Sequence, residues 1–119
     1  MLEREKILHM FADLAGLEIG EAAAEQTLCD MAAAGLECRM LPDVQPQDRE
    51  KLCYAAAAGA FYRYCLVQAS REGGTVKIGD VSVSPPGRDA VLLAKSVYDE
   101  ALALVSGLVT DDGFLFSAI

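Results

Sequence analysis

The sequence has 119 residues, 53% apolar and 24% charged, with no Trp and a formal charge of −8 from 18 acids against 10 bases. That balance excludes an intrinsically disordered chain and supplies material for one modest domain, 1–119. Residues 1–60 hold 11 acids and 5 bases and residues 61–119 hold 7 and 5, which argues against non-specific binding to phosphate backbones.

Leu2–Leu14 reads as a first helix, because Ile7, Met10 or Phe11, and Leu14 recur at spacings of three and four. Gly16 marks its end. A second helix is expected from Gly20 to about Ala34, with Leu28, Met31 and Ala32 on its apolar side and Gly35 as its stop. Glu21 and Glu25 suit its amino end. The triplets Ala22–Ala24 and Ala32–Ala34 fit high helix propensity, or a neighbouring helix approaching closely.

Cys38–Gln47, with Pro42 and Pro46, reads as a connector, and Asp48 is a candidate cap for the next helix. That third helix, about Arg49–Arg71, is the longest. Leu52, Ala55, Ala56, Ala60, Tyr64 and Val67 line one side, yet Tyr54, Phe61, Tyr62 and Leu66 point elsewhere. Such broad apolar coverage belongs to the centre of a bundle or to a subunit contact. Gly73-Gly74 is expected to end this helix.

Between Thr75 and Val83 the pattern changes. Val76 and Ile78 alternate with polar neighbours, as do Val81 and Val83, with Gly79-Asp80 between them at the length of a type II′ turn. This predicts a short β-hairpin or an extended loop, which needs helices or another chain to lean on. Pro85-Pro86-Gly87 reads as a break, succeeded by a last helix from about Asp89 to Leu108. The remaining 109–119 segment places Asp111-Asp112-Gly113 before Phe114-Leu115-Phe116, a docking tail that returns to the core or meets a partner. The expected fold is therefore mainly α, a bundle of about four helices with a hairpin or loop between the last two.

Catalytic equipment is sparse. His9 stands alone on the first helix and reads as structural. Cys29, Cys38, Cys53 and Cys65 lie 9, 15 and 12 residues apart, with no CxxC, and read as reduced and mostly buried thiols of an intracellular protein. Glu21/Glu25 and Asp111/Asp112 lack the third ligand of a metal site or the spacing of a calcium loop. No P-loop, dinucleotide fingerprint, GxSxG or HExxH occurs. The beginning, MLEREKILHMF, lacks a basic region followed by a secretory core, and Ala55–Tyr62 is too short an apolar run to span a bilayer. The reading is a non-enzyme with no cofactor, no metal and no membrane partner, whose chemistry is that of interaction.

The run GGTVKIGDVSVSPPGRDAVLLAKSVYDEALALVSGLVTDDGFLFSAI resembles the second half of small head–tail connector, or adaptor, proteins of tailed bacteriophages and prophages. The likeness lies in Gly79-Asp80-Val81-Ser82-Val83 after a long helix, an Ala/Leu-rich last helix, and Asp112-Gly113-Phe114. It covers roughly residues 48–119, including Ala56, Phe61, Tyr62 and Tyr64. The resemblance implies a head-completion subunit that assembles as a ring at the portal and joins the DNA-filled head to the tail. Its partners would be copies of itself, the portal protein and tail-side connector proteins, with DNA only passing through the channel. It would occupy the bacterial cytoplasm during assembly and then the virion neck. Val76, Ile78, Gly79, Asp80, Val81 and Val83 would then lie at an interface, with Phe114 and Phe116 as docking residues. Two other readings of the residues stand beside it. One is a helical regulatory module, unrelated to phage, that forms a dimer. The other is a small enzyme or ligand-binding bundle with a pocket beside the long helix, using Tyr54, Tyr62 or Tyr64.

Overall fold

The first helix, α1 (Arg4–Ala15), follows its apolar stripe: Ile7 and Phe11 are fully buried, while Met10 and Leu14 pack at the edge of the core. It stops at Gly16, which adopts φ +70°, and the Leu17 N–H reaches back to the Ala12 carbonyl at 2.9 Å. This is the left-handed glycine cap that lets the chain turn without a Cβ clash. The structure is a computed structural model that describes residues 2–78 and 86–110, with side chains described for 2–70 and 89–110.

The single second helix expected from the pattern is instead two, α2 (Ile19–Ala23) and α3 (Gln26–Glu37). The Glu21 side chain accepts the Glu18 N–H at 3.2 Å and opens α2. At its end Ala24 and Glu25 donate to carbonyls only three residues back, at 3.2 and 2.8 Å. Glu25 leaves helical geometry, with φ −106° and ψ 22°. No Gly or Pro marks this break; packing sets it. The helix α2 rests on α1, whereas α3 rests on both α1 and the long helix, and the bend serves both placements. Glu21 and Glu25 consequently belong to different elements and do not form a pair on one helix. Gly35 does not stop α3, which continues to Glu37.

A 3-10 turn, Pro46–Asp48, leads directly into α4 (Arg49–Ile78). Leu52, Cys53, Ala55, Ala56, Ala57, Ala58 and Ala60 are all buried, since α1, α3 and the last helix surround this half of α4. Broad apolar coverage thus marks the bundle centre. The helix α4 extends beyond Gly73-Gly74, where its end was expected, and its backbone carries Thr75–Ile78 in helix. Of the expected hairpin, Gly79, Asp80, Val81 and Val83 lie outside the described residues, as do the side chains of Val76 and Ile78.

The last helix, α5 (Pro86–Leu104), starts three residues earlier than expected, with Pro86 in its first turn, where a missing N–H costs no helical bond. Ala94, Ala101 and Val105 are buried on its α4 side or just beyond its end. After α5 the chain comes back to the connector. Met40 and Val109 form an antiparallel bridge, flanked by Leu41 N–H to Leu108 at 3.0 Å and Thr110 N–H to Arg39 at 2.9 Å. Val109 is buried there, so the start of the 109–119 segment returns to the core. Phe114 and Phe116 lie outside the described residues. The fold is mainly helical, with five α-helices among the described residues.

Candidate functional site, a cleft beside the central helix

The helices α3, α4 and α5 do not close completely. Between them lies a cleft of about 650 Å³, within the size range of ligand pockets. Small residues of α4, Ala55, Ala56 and Gly59, make its floor. Met31, Ala32 and Gly35 form the α3 wall, and Lys95, Tyr98 and Leu102 the α5 wall.

Gly59 has a specific reason to be glycine. A Cβ built there would stand 3.1 Å from Tyr98 Cε1, so the ring of Tyr98 lies on the bare backbone of α4. Tyr98 in turn stacks on Tyr62, with ring centroids 5.9 Å apart and planes 29° apart. Burial raises the Tyr98 pKa, while Arg39 and Arg63 act in the opposite direction. The phenol therefore stays neutral and able to donate well into alkaline solution.

Charge in the cleft runs against that of the whole chain. Among the described residues its lining holds Arg39, Arg63 and Lys95 against one carboxylate, Asp99, although the protein carries −8. Lys95 donates to Asp99 at 3.0 Å, and this carboxylate raises the lysine pKa. The arrangement offers an apolar floor, a phenol pair and a net positive rim. Such a surface suits an acidic, partly apolar group.

Of the tyrosines expected beside the long helix, only Tyr62 lines the cleft. Tyr64 turns instead to Phe11, edge to face at 5.6 Å and 88°. Tyr98, Arg39, Arg63 and Lys95 were not singled out by sequence. The usable signal was Gly59, a glycine inside an alanine run at the middle of a helix, which marks a close approach. None of the interface candidates, Val76, Ile78, Gly79, Asp80, Val81, Val83, Phe114 and Phe116, has a described side chain.

The other groups considered for chemistry are dispersed. His9 is exposed on α1. Cys29, Cys53 and Cys65 are buried free thiols, and Cys38 is an exposed one. Desolvation pushes Cys29 up to about 11 and raises Cys53 and Cys65 as well. Among the described residues no three His, Cys, Asp or Glu side chains gather as a metal site, and no helix is long and apolar enough to cross a membrane.

A second surface is apolar but not concave. On α5, Leu93 and Leu104 are 63% and 58% exposed. They stand three helical turns apart on one flank. Leu92 is exposed further around the helix, and Leu66 and Val67 are exposed on α4.

Comparison with known proteins finds no family model that matches the chain, no similar curated protein and no similar solved structure.

Proposed function

We propose that this protein is a non-catalytic structural subunit that works by assembly, as an adaptor of the phage head–tail connector kind. Two independent features support the two parts of this reading. The exposed leucines of α5, Leu92, Leu93 and Leu104, support assembly. Large apolar side chains repeated along one helix gain free energy when a partner covers them. The resemblance over residues 48–119 supports the connector class. The single observation that carries the proposal is the exposed Leu93–Leu104 flank.

A ring needs a head-to-tail contact, in which each subunit presents two different, complementary surfaces. The α5 flank is one such surface. The acidic composition is compatible with a channel through which DNA slides, because like charge prevents gripping. The test is substitution on the flank. Leu93→Glu with Leu104→Glu should leave helix content and thermal midpoint near those of the parent, since both side chains already face water. The same pair should abolish co-purification with a portal ring encoded beside the gene. Unchanged co-purification would remove the flank from the interface.

A second reading, a ligand-binding bundle, is favoured by the cleft itself. It is concave, lies beside the long helix, and brings Tyr62, Tyr98 and Arg63 to one place. A small acidic aromatic compound that shifts the Gly59 and Tyr98 signals in an NMR titration would support that reading.

A further inference from the structure

On α5, Leu93, Val97, Glu100 and Leu104 succeed one another at spacings of four, three and four, so they share one flank. Leu93, Glu100 and Leu104 are exposed and Val97 is half-buried. Glu100 thus sits within an apolar stripe, and among the described residues no cation pairs with it. The cleft has the converse character. Met31 and Leu66 line it yet are 55% and 42% exposed. Arg63, also exposed, has no carboxylate partner among the described residues.

We propose that the α5 stripe of one copy seats in the cleft of the next, a head-to-tail contact in which Glu100 meets Arg63 of the neighbouring copy. This rests on the assembly part of the proposed function and supplies the second surface which that assembly needs.

The two surfaces agree in length. At 1.5 Å per residue, Leu93 to Leu104 covers about 16 Å, and so does the α4 side of the cleft from Ala55 to Leu66. They agree in register as well. Glu100 stands about 10 Å along from Leu93, and Arg63 about 12 Å along from Ala55. With α5 laid parallel to the neighbour's α4, Leu93 comes over the alanine end, Glu100 faces Arg63 and Leu104 reaches Leu66. The reversed direction would leave Glu100 over Gly59, about 6 Å short of Arg63.

Their directions also suit a contact between copies. At about 100° per residue, Tyr98 and Leu102, which face the cleft, lie about 140° and 180° around α5 from Leu93. The stripe therefore points away from the cleft of its own chain. A copy seated in its neighbour keeps its own cleft open for another, so copies add in one direction and close as a ring where the rotation permits.

Sedimentation velocity of the full-length protein and two variants tests the contact. The flank variant carries Leu93→Glu and Leu104→Glu, and the cleft variant carries Arg63→Glu and Leu66→Glu. All of these side chains are exposed, so circular dichroism should show the parent's helix content in both. The parent should form species larger than a dimer as concentration rises, and each variant alone should stay a monomer. An equal mixture should stop at a pair, because only one intact flank and one intact cleft can meet. Glu100→Arg should weaken association at least about tenfold by facing Arg63 with like charge, and adding Arg63→Glu should restore it to within about threefold of the parent. A parent that stays monomeric throughout would overturn the proposal and leave the cleft to a ligand. A dimer that the cleft variant still forms would overturn it in favour of flank meeting flank. Failure of the charge exchange to restore association would overturn it too. Head-to-tail oligomers that do not bind a portal would sustain this contact and overturn the adaptor reading; portal binding by a protein that never self-associates would do the reverse.

Discussion

Glu37 lies in the last turn of α3, where negative charge opposes the helix dipole. It is held there by Arg4, whose two terminal nitrogens bond its two carboxylate oxygens at 2.8 and 3.0 Å. The Leu2 N–H adds a third bond at 2.7 Å. Together they fasten the start of α1 to the end of α3. The Arg4 hydrogen bonds hold the Glu37 carboxyl below its ordinary range, aided by Leu2 and opposed by partial desolvation. A carboxyl whose folded pKa is lowered stabilises the fold fully above the ordinary carboxylate range and loses that contribution as pH falls through the lowered value. Glu37→Gln should therefore cost about 1 kcal/mol at neutral pH, allowing for screening of a pair 32% and 17% exposed. The loss should vanish in strong acid, where the parent is protonated too. Thermal midpoints of both proteins across pH check this. The thiols give a second prediction at this scale. Native protein should show one fast-reacting thiol toward a disulfide reagent, Cys38, and three slower by at least about tenfold, because burial both hides Cys29, Cys53 and Cys65 and keeps them protonated.

Among the elements, α4 decides the architecture, and its glycines and alanines decide how closely the others approach. At Gly59 the Tyr98 ring takes the space of a side chain. Gly59→Leu should cost about 3 kcal/mol by overpacking and disturb the Tyr62–Tyr98 stack, visible in near-ultraviolet circular dichroism. Gly35 is the contrast. It is interior to α3 and a Cβ there meets nothing within 4 Å, so Gly35→Ala should stabilise by about 0.5–1 kcal/mol. Denaturant unfolding of the two variants should thus move in opposite directions. The same residues show what could be read beforehand. The helix α1 and the central place of α4 were legible, because Ile7–Phe11 periodicity and apolar coverage on several sides are local signals. The break between α2 and α3 was not, because Ala24 and Glu25 are ordinary helix formers and only contacts with α1 and α4 bend the chain there. The end of α4 was misread at Gly73-Gly74, since glycine disfavours a helix without forbidding it. The cleft was half legible. Tyr62 was among the tyrosines expected beside the long helix, whereas Tyr98 and Arg39 join it from elements distant in sequence.

At the scale of the whole molecule, the described residues offer two surfaces for contact, and they differ in kind. The cleft is concave, and its described lining holds more cations than carboxylates. The α5 flank is convex and apolar, and nothing covers it among the described residues. A subunit with two unlike surfaces is suited to ring or stack formation more than to a twofold dimer, in which one surface meets its own copy.

The most direct test of adaptor function is the mass and shape of the particle formed when the protein is mixed with the products of the genes beside its own, by light scattering and negative-stain microscopy. An adaptor should give a ring of many copies seated on a portal-like particle, lost with Leu93→Glu and Leu104→Glu together. No association with such a particle, and a stable twofold dimer in its place, would contradict the assignment.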